Sequence, residues 1–191
     1  MSIMEDLVSA LDRHSRELRK LQRFTPTPSR LPLFVQTATV TVANTVTQTT
    51  LLGAGVGSAT LPANRLVAGS TIMMEAWGYH STDASPPTLR IRMKIGTNSV
   101  GNIITHIGAT TTDLWHMRGI ITCRTVGATG TVFAQAFTLL EESQEFWEQV
   151  TTAVLTVDTT GTLALDVTAE WSIAEATATI SCTNALIELI N

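Results

Sequence analysis

Two hydrophobic periods divide the chain near residue 24. Before that point, apolar side chains recur at alternating spacings of three and four, which places them on one face of a helix. From Phe34 onward, apolar and polar residues alternate with a period of two, which is typical of strands that bury one face. The pattern predicts a mainly β protein in which a short N-terminal helix precedes the body.

The segment 1–23 is predicted to be an amphipathic, coiled-coil-like helix. Ser2 and Glu5 have the spacing of a capping box, which satisfies free backbone N–H groups at a helix start. The apolar seam, at heptad positions a and d, consists of Met4, Leu7, Leu11, His14, Leu18 and Leu21. Because so short a helix is marginal alone, it must pack on something. We favour self-association for trimerisation or anchoring; the alternatives are packing on its own domain and docking on another protein.

Residues 24–33 are predicted to be a proline-rich connector. Pro26, Pro28 and Pro32 exclude a helix and favour an extended, stiff chain. Residues 34–191 then form the body.

The body is predicted to be an antiparallel β-sandwich of the jelly-roll type, because eight or more strands follow one another without intervening helices. The clearest strands are 88–95 and 162–171, in which apolar side chains alternate with charged or hydroxyl ones. The other predicted strands are 36–46, 48–52, 58–62, 70–79, 100–107, 114–126, 131–139, 150–157 and 178–190. The predicted turns are 53–57, 62–64, 81–87, 127–130 and 158–161.

One polar segment, 141–148, is predicted to be an acidic loop with an aromatic tip. Its glutamates enclose Phe146 and Trp147, and Trp147 is the best candidate for an exposed tryptophan. Trp115 and Trp171 share their strand face with apolar neighbours, so both are predicted to lie in the core.

Composition supports this division. Threonine, a β-branched residue that favours strands, accounts for 33 of 191 residues and is absent before residue 25.

Hydrophobic residues make up 44% and the net charge is only -4, which excludes a disordered chain. Half of the twelve basic residues lie in residues 1–30, which leaves the body acidic, and we expect no nucleic-acid partner. No apolar run is long enough to span a bilayer, so no membrane partner is expected.

Candidate chemistry is sparse, and we predict that the protein is not an enzyme and needs no cofactor or metal. The four histidines lack metal-ligand spacing, and no nucleophile elbow is present. His116 is predicted to be a solvated sheet residue. Cys123 and Cys182 are predicted to be buried thiols, with a single disulfide as the alternative.

A row of basic residues on one strand is a candidate contact surface. Arg90, Arg92 and Lys94 point to the same side of the strand 88–95. They form either a solvated face or the complement of an acidic surface on a neighbouring copy. Together with Phe146 and Trp147, they are the candidate surface-contact residues.

Several strand and turn sequences of the body resemble a group of structural proteins of tailed-phage particles. They are VTVANTVTQTTLLG (40–53), SATLPANRLVAGST (58–71), TLRIRMKIG (88–96), GATGTV (127–132) and LIELIN (186–191). These proteins are described as head-decoration, head-fibre or tail-appendage proteins. The resemblance covers roughly residues 34–191 and brings no catalytic residues with it. It implies a trimeric jelly roll displayed on the particle.

Under this resemblance, the expected function is that of a capsid cement protein. Homotrimers would bind the major capsid protein or another virion protein and stabilise the lattice, with the helix and connector as the anchoring arm. The alternative is a trimeric receptor-binding tail or head-fibre protein that contacts a host surface polysaccharide, a glycan partner, or a host surface protein. A cellular carbohydrate-binding sandwich is a third interpretation. No secretion signal is recognisable, so we expect a protein made in the host cytoplasm and located in the virion.

Overall fold

The computed structural model describes residues 30–83, 87–106, 109–142 and 145–191. Over these residues the chain forms strands and no helix. The strands are β1 (Arg30–Gln36), β2 (Val40–Ala43), β3 (Thr49–Thr50), β4 (Gly55–Gly57), β5 (Thr60–Leu61), β6 (Thr71–Thr82), β7 (Thr88–Ile95), β8 (Asn98–His106), β9 (Thr110–Thr125), β10 (Gly130–Glu142), β11 (Glu145–Val157), β12 (Leu163–Trp171) and β13 (Thr179–Ile190). The predicted mainly β, antiparallel class is confirmed. The predicted helix over 1–23 lies outside the described residues.

The strands form two antiparallel sheets. The larger sheet has eight strands in the order β11-β10-β9-β6-β13-β1-β4, and β2 pairs with β13 beyond the end of β1. The smaller sheet has the order β3-β12-β7-β8, and β5 also pairs with β12. The chain crosses between the sheets several times, whereas β9, β10 and β11 follow one another within the larger sheet.

One hydrophobic core lies between the two sheets. Strand β7 shows why, since Leu89, Ile91, Met93 and Ile95 are fully buried while the residues between them are only partly covered. Strand β12 also buries its alternate apolar residues, and Thr168 between two of them is buried as well. Met93 reaches across to the larger sheet, where its thioether covers the place that a side chain on Gly119 of β9 would take. The alternation predicted for 88–95 and 162–171 is confirmed.

Both cysteines are buried free thiols, as predicted. Burial raises the pKa of the Cys182 thiol to about 11 and raises that of Cys123. The two tryptophans predicted to lie in the core, Trp115 and Trp171, are each 1% exposed.

The predicted acidic loop at 141–148 is wrong. Strands β10 and β11 continue as a paired hairpin, in which Glu141 is opposite Phe146 and Glu142 is opposite Glu145. A run of charged residues is compatible with a strand when the backbone of a neighbouring strand supplies the hydrogen bonds. The segment therefore extends the edge of the larger sheet.

Other boundaries also differ from the prediction. The predicted strand 36–46 is interrupted, since β1 ends at Gln36 and β2 spans Val40–Ala43. Gly55–Gly57, predicted as a turn, is an edge strand that pairs with β1. Strand β6 continues to Thr82, so Ser81 and Thr82 belong to the strand rather than to the predicted turn 81–87, and His80 before them is buried. Strand β1 begins at Arg30, inside the predicted connector 24–33. Pro32 is accommodated there because the pairing with β13 shifts between Pro32 and Phe34, and an irregular position tolerates a missing donor.

Candidate functional site

The outer face of the larger sheet is unusually apolar for a surface turned away from the core. Alternate residues of β6 and β9 point outward, since the residues between them are buried, and in β11 exposed residues alternate with the partly buried Ala153 and Leu155. Six of these outward side chains are more than one-third exposed: Trp77, Tyr79, Leu114, Ile120, Val150 and Val154. We call these six residues the apolar face.

The strand register brings Trp77, Tyr79 and Leu114 together, whereas Arg118 of β9 and Gln135 of β10 lie on the same face between this group and the valines of β11. Tyr79 of β6 lies opposite Leu114 of β9, and Trp77 is two residues along the same face. Toward the β11 edge of the same face, Val150 and Val154 lie opposite Phe137 and Phe133. The surface therefore extends across four neighbouring strands. A patch of this kind marks an interaction site more often than a free surface.

A cleft of about 360 Å³ opens within this face. It is lined by Glu75, Trp77, Leu114, Trp115, His116 and Leu139. The imidazole of His116 meets the Trp77 ring edge to face, with centroids 6.1 Å apart and ring planes at 84°. His116 Nε2 also lies 2.8 Å from the carboxylate oxygen Oε1 of Glu75. The cleft thus combines an apolar floor with two polar groups, which suits an apolar side chain or the face of a sugar ring.

The predicted basic row lies on the outer side of the smaller sheet and is largely paired within that sheet. Arg90 is directly opposite Glu170, and its Nη1 donates to Glu170 Oε1 at 3.0 Å. Arg92 donates from Nη2 to the same oxygen at 2.7 Å. The side chain of Arg92 is only 14% exposed. Lys94 is opposite Asp166. The row is therefore a charge network with Glu170 at its centre rather than a freely solvated face.

The two carboxylates of this network have opposite pKa shifts. The hydrogen bond from Arg92 to Glu170, helped by the charges of Arg92 and Arg90, lowers the pKa of the Glu170 carboxyl below its ordinary 4.5. Burial raises the pKa of Asp166 above 3.8, and a hydrogen bond from Thr50 opposes the rise. Glu170 is thus favoured in its charged form by folding, whereas Asp166 is favoured in its neutral form.

Opposite pH effects are therefore expected from neutralising these two residues. Glu170 stabilises the fold above pH 4.5, and this stabilisation is lost as the pH falls through its lowered pKa. Glu170→Gln should then reduce the free energy of unfolding at pH 7 and reduce it less at pH 3. Asp166 stabilises the fold below pH 3.8, and this is lost as the pH rises through its raised pKa. Asp166→Asn should preserve or increase stability at pH 7. Urea denaturation at both pH values measures the free energy of unfolding of each variant. A loss from Glu170→Gln that is equal at pH 7 and pH 3 would contradict the expectation for Glu170.

The other predicted site residues all lie outside the part of the structure whose side chains are described. The helix residues Met4, Leu7, Leu11, His14, Leu18 and Leu21 fall outside the described residues. Phe146 and Trp147 belong to strand β11 by their backbone pairing, and their side chains are also outside the described part.

The alternation rule could have identified the aromatic cleft. Trp77 and Tyr79 alternate with Ala76, Gly78 and His80, which places both aromatic rings on one side of the strand. The pairing of His116 with Glu75 joins strands β9 and β6. Alternation within each strand does not specify the register between them. His116, predicted to be solvated, is partly buried in this pair.

Within the described ranges, no group of three or more His, Cys, Asp or Glu residues is placed to hold a metal ion. Over the same part of the chain, no helix has the length and apolar character needed to cross a membrane.

No protein-family model and no curated protein matches this chain. Among solved structures, it is similar to lectin UEA-II complexed with galactose, with 9% identity, a TM-score of 0.39 and coverage of 85% of this chain and 92% of the lectin chain. It is also similar to an alginate lyase from Klebsiella pneumoniae, with 6% identity, a TM-score of 0.14 and coverage of 64% and 59% respectively. Both scores are low, so the function of this chain is inferred from its own residues.

Proposed function

We propose that this chain is a structural component of a phage particle, a homotrimer that binds the capsid lattice and stabilises it. The apolar face of the larger sheet is the observation that supports permanent assembly. The sequence resemblance of residues 34–191 supports a phage particle as the setting.

The proposed body is a jelly roll. The larger sheet contains β1-β13-β6-β9 in that order, and the smaller sheet has β3-β12-β7-β8. This arrangement of eight strands in two four-stranded sheets, with repeated crossings between them, matches jelly-roll connectivity. The β10–β11 hairpin is then an addition that widens the larger sheet beyond β9. This added hairpin carries Val150 and Val154, so the widening enlarges the apolar face.

A partner that covers the apolar face would remove its exposed rings and branched side chains from water. Val154 is 62% exposed and Val150 59%, and burial of such groups contributes roughly 25 cal/mol for each Å² of apolar surface. Soluble oligomers are commonly closed and symmetric, so copies of the same chain are natural partners. The helix predicted over 1–23 would add a second contact between the copies or an anchor on the capsid.

Stabilisation of the capsid would then follow from mass action. A protein that binds the assembled lattice and not its dissociated subunits shifts the equilibrium toward the lattice. Three linked copies strengthen this effect, because the second and third contacts form at high effective concentration.

Analytical ultracentrifugation of the full chain is expected to show a trimer, and the trimer is expected to co-sediment with DNA-filled capsids.

Adding charge to the apolar face by Ile120→Glu together with Val154→Glu should produce monomers, because a buried unpaired carboxylate opposes association. Leu18→Asp, in the predicted helix, should remove trimers or capsid attachment and leave the β-body folded by circular dichroism.

Ile173→Glu is the matched control, since Ile173 is 63% exposed and lies outside the apolar face. This variant should remain trimeric. A wild-type chain that sediments as a monomer would contradict the proposal, as would strong binding to intact host cells by a chain with no affinity for capsids.

The cleft at Trp77 favours a second candidate, a receptor-binding appendage that contacts a host surface glycan. An exposed tryptophan beside a carboxylate can stack on a sugar ring and accept hydrogen bonds from its hydroxyl groups. The two candidates differ because a trimer that covers the apolar face also covers this cleft. Quenching of tryptophan fluorescence by host polysaccharide, lost in Trp77→Ala, would favour the receptor-binding role.

A further inference from the structure

We propose that the outer edge of β11 pairs with the same edge of a second copy of the chain, antiparallel and about a two-fold axis at Thr152. The larger sheet ends at β11, which pairs with β10 alone within the described ranges. This contact uses the backbone of the sheet edge, whereas the proposed trimer uses the apolar face and the helix predicted over 1–23. It therefore goes beyond the proposed function, because it can join one trimer to the next.

Strand β11 lacks the features that usually keep sheet edges apart. Proteins protect an edge with proline, lysine, a bulge or a very short strand. The segment 150–157 contains no proline and no charged residue, and the pairing of β10 with β11 runs without a register shift. The other sheet ends differ, since β3 and β4 have only two and three residues and the pairing of β8 with β7 is shifted between Met93 and Lys94.

The hydrogen bonds of β9 show which backbone groups of β11 point outward. Cys123 of β9 directs both of its groups toward β6, where its N–H donates to the Ser70 carbonyl and its C=O accepts from the Gly69 N–H, each at 2.8 Å. Successive residues of a strand direct these groups to opposite sides, so the alternation can be followed through the register of β9, β10 and β11. The residues of β11 whose groups point away from β10 are Val150, Thr152, Val154 and Thr156.

Asn98 of β8 supports this assignment and marks where the open part of the edge ends. Its Nδ2 donates to the Thr156 carbonyl at 3.0 Å, so that carbonyl is reached from outside the β10–β11 pair and already has a partner. From Val150 to Val154, no described strand covers the edge. We call this stretch the open edge.

The sequence of the open edge is complementary to itself. An antiparallel pairing centred on Thr152 places Thr152 opposite its own copy, and Val150 opposite Val154 in both directions. Because the backbone groups of these residues point outward, each such pair exchanges both of its hydrogen bonds. Their side chains are exposed on one face of the sheet, and cross-strand pairs of β-branched residues stabilise a sheet.

The distribution of charge favours the antiparallel direction. Strand β11 has its two acidic residues, Glu145 and Glu148, at one end. Parallel copies in register would bring each glutamate beside its counterpart, and like charges opposite each other are destabilising. The antiparallel pairing places position 148 opposite the uncharged Thr156 instead. A second copy thus fits this edge without repulsion between the strands.

Disulfide trapping of the full chain tests the register. Thr152→Cys places two thiols opposite each other, with Cα atoms about 5.5 Å apart, a separation that a disulfide can span. Copper-catalysed oxidation in air should link most chains into covalent dimers on non-reducing electrophoresis. Thr156→Cys, on the same edge, is the matched control and should not link, because its two thiols would lie about 27 Å apart. The native Cys123 and Cys182 are buried and should stay reduced.

A mixing experiment makes the result independent of a single thiol. Chains with Val150→Cys should link to chains with Val154→Cys, whereas neither should link to itself, since like positions lie about 14 Å apart. Adding Thr152→Pro to both chains should abolish this link and leave the body folded, because proline removes an N–H that points away from β10. Adding Thr152→Val instead, which keeps the N–H, should preserve the link.

Analytical ultracentrifugation of the same samples before oxidation separates this contact from the proposed function. Trimers in which Thr152→Cys does not link would overturn the two-fold contact and leave the proposed trimer intact. Links at Thr152→Cys in a chain that sediments without trimers would support the contact and contradict the trimer. Equal linking of Thr152→Cys and Thr156→Cys would indicate collision without register and would also overturn the two-fold contact.

Discussion

Replacing Trp115 by alanine is expected to lower the free energy of unfolding by about 3–5 kcal/mol, the range for removing a buried tryptophan. Trp115 is 1% exposed within the core between the sheets. Its indole Nε1 also donates to the carbonyl of Ser181 at 2.9 Å. The substitution therefore leaves both a cavity and a buried acceptor without its donor. Urea denaturation followed by circular dichroism measures the loss.

Trp77→Ala serves as the comparison for Trp115→Ala. Both residues are tryptophans on neighbouring strands, but Trp77 is 36% exposed on the apolar face. Both substitutions are compared in the Ile120→Glu, Val154→Glu background, in which the apolar face is expected to stay uncovered. There, removing the Trp77 side chain should lower the free energy of unfolding clearly less, because the space it leaves is open to water. Equal losses for the two variants would mean that the indole of Trp115 contributes no more to the core than a surface ring.

The burial of Trp115 was predictable because it requires only the period of a strand. Alternation shows which side chains share a face, and the apolar neighbours of a residue indicate which face is buried. The same reasoning correctly assigned Trp171 and the inward residues of Thr88–Ile95. Local alternation therefore specified much of the core and the antiparallel class.

The candidate sites depend on register, which alternation does not specify. Glu170 meets Arg90 and Arg92 although nearly eighty residues separate them in the chain. The cleft similarly needs β6, β9 and β10 to be neighbours in one sheet. The hairpin at 141–148 was missed because its charged residues resemble a loop when the paired strand is unknown. Hydrogen bonding between the backbones of β10 and β11 decides its conformation instead.

Gly78 shows how register also decides the role of a residue that the sequence leaves ambiguous. It lies in β6 opposite Trp115 on one side and Cys182 on the other. The pairing of β13 is irregular just after Cys182, and the Ser181 carbonyl occupies the space that a side chain on Gly78 would need. The indole of Trp115 reaches that same carbonyl. Gly78 thus leaves room for the hydrogen bond between its two neighbouring strands.

Gly78→Ala is consequently expected to destabilise the body by about 3 kcal/mol, the upper part of the usual range for overpacking. The obstacle is a backbone oxygen in a paired strand, so it cannot rotate away as the end of a side chain could. The added methyl group must separate β6 from β13 or displace the indole of Trp115. Urea denaturation measures the loss. A shift in the tryptophan fluorescence of Gly78→Ala relative to the wild-type protein would indicate that the indole of Trp115 has moved.

Gly161→Ala is the matched control for Gly78→Ala. The nearest atom to an added side chain there is Asp158 Oδ2, at 3.8 Å, which is ordinary contact. Since an alanine that fits reduces the freedom of the unfolded chain, this variant should be unchanged or slightly more stable. If Gly78→Ala behaved in the same way, the Ser181 carbonyl would have room to move. The bond from Trp115 would then not depend on a glycine between the two strands.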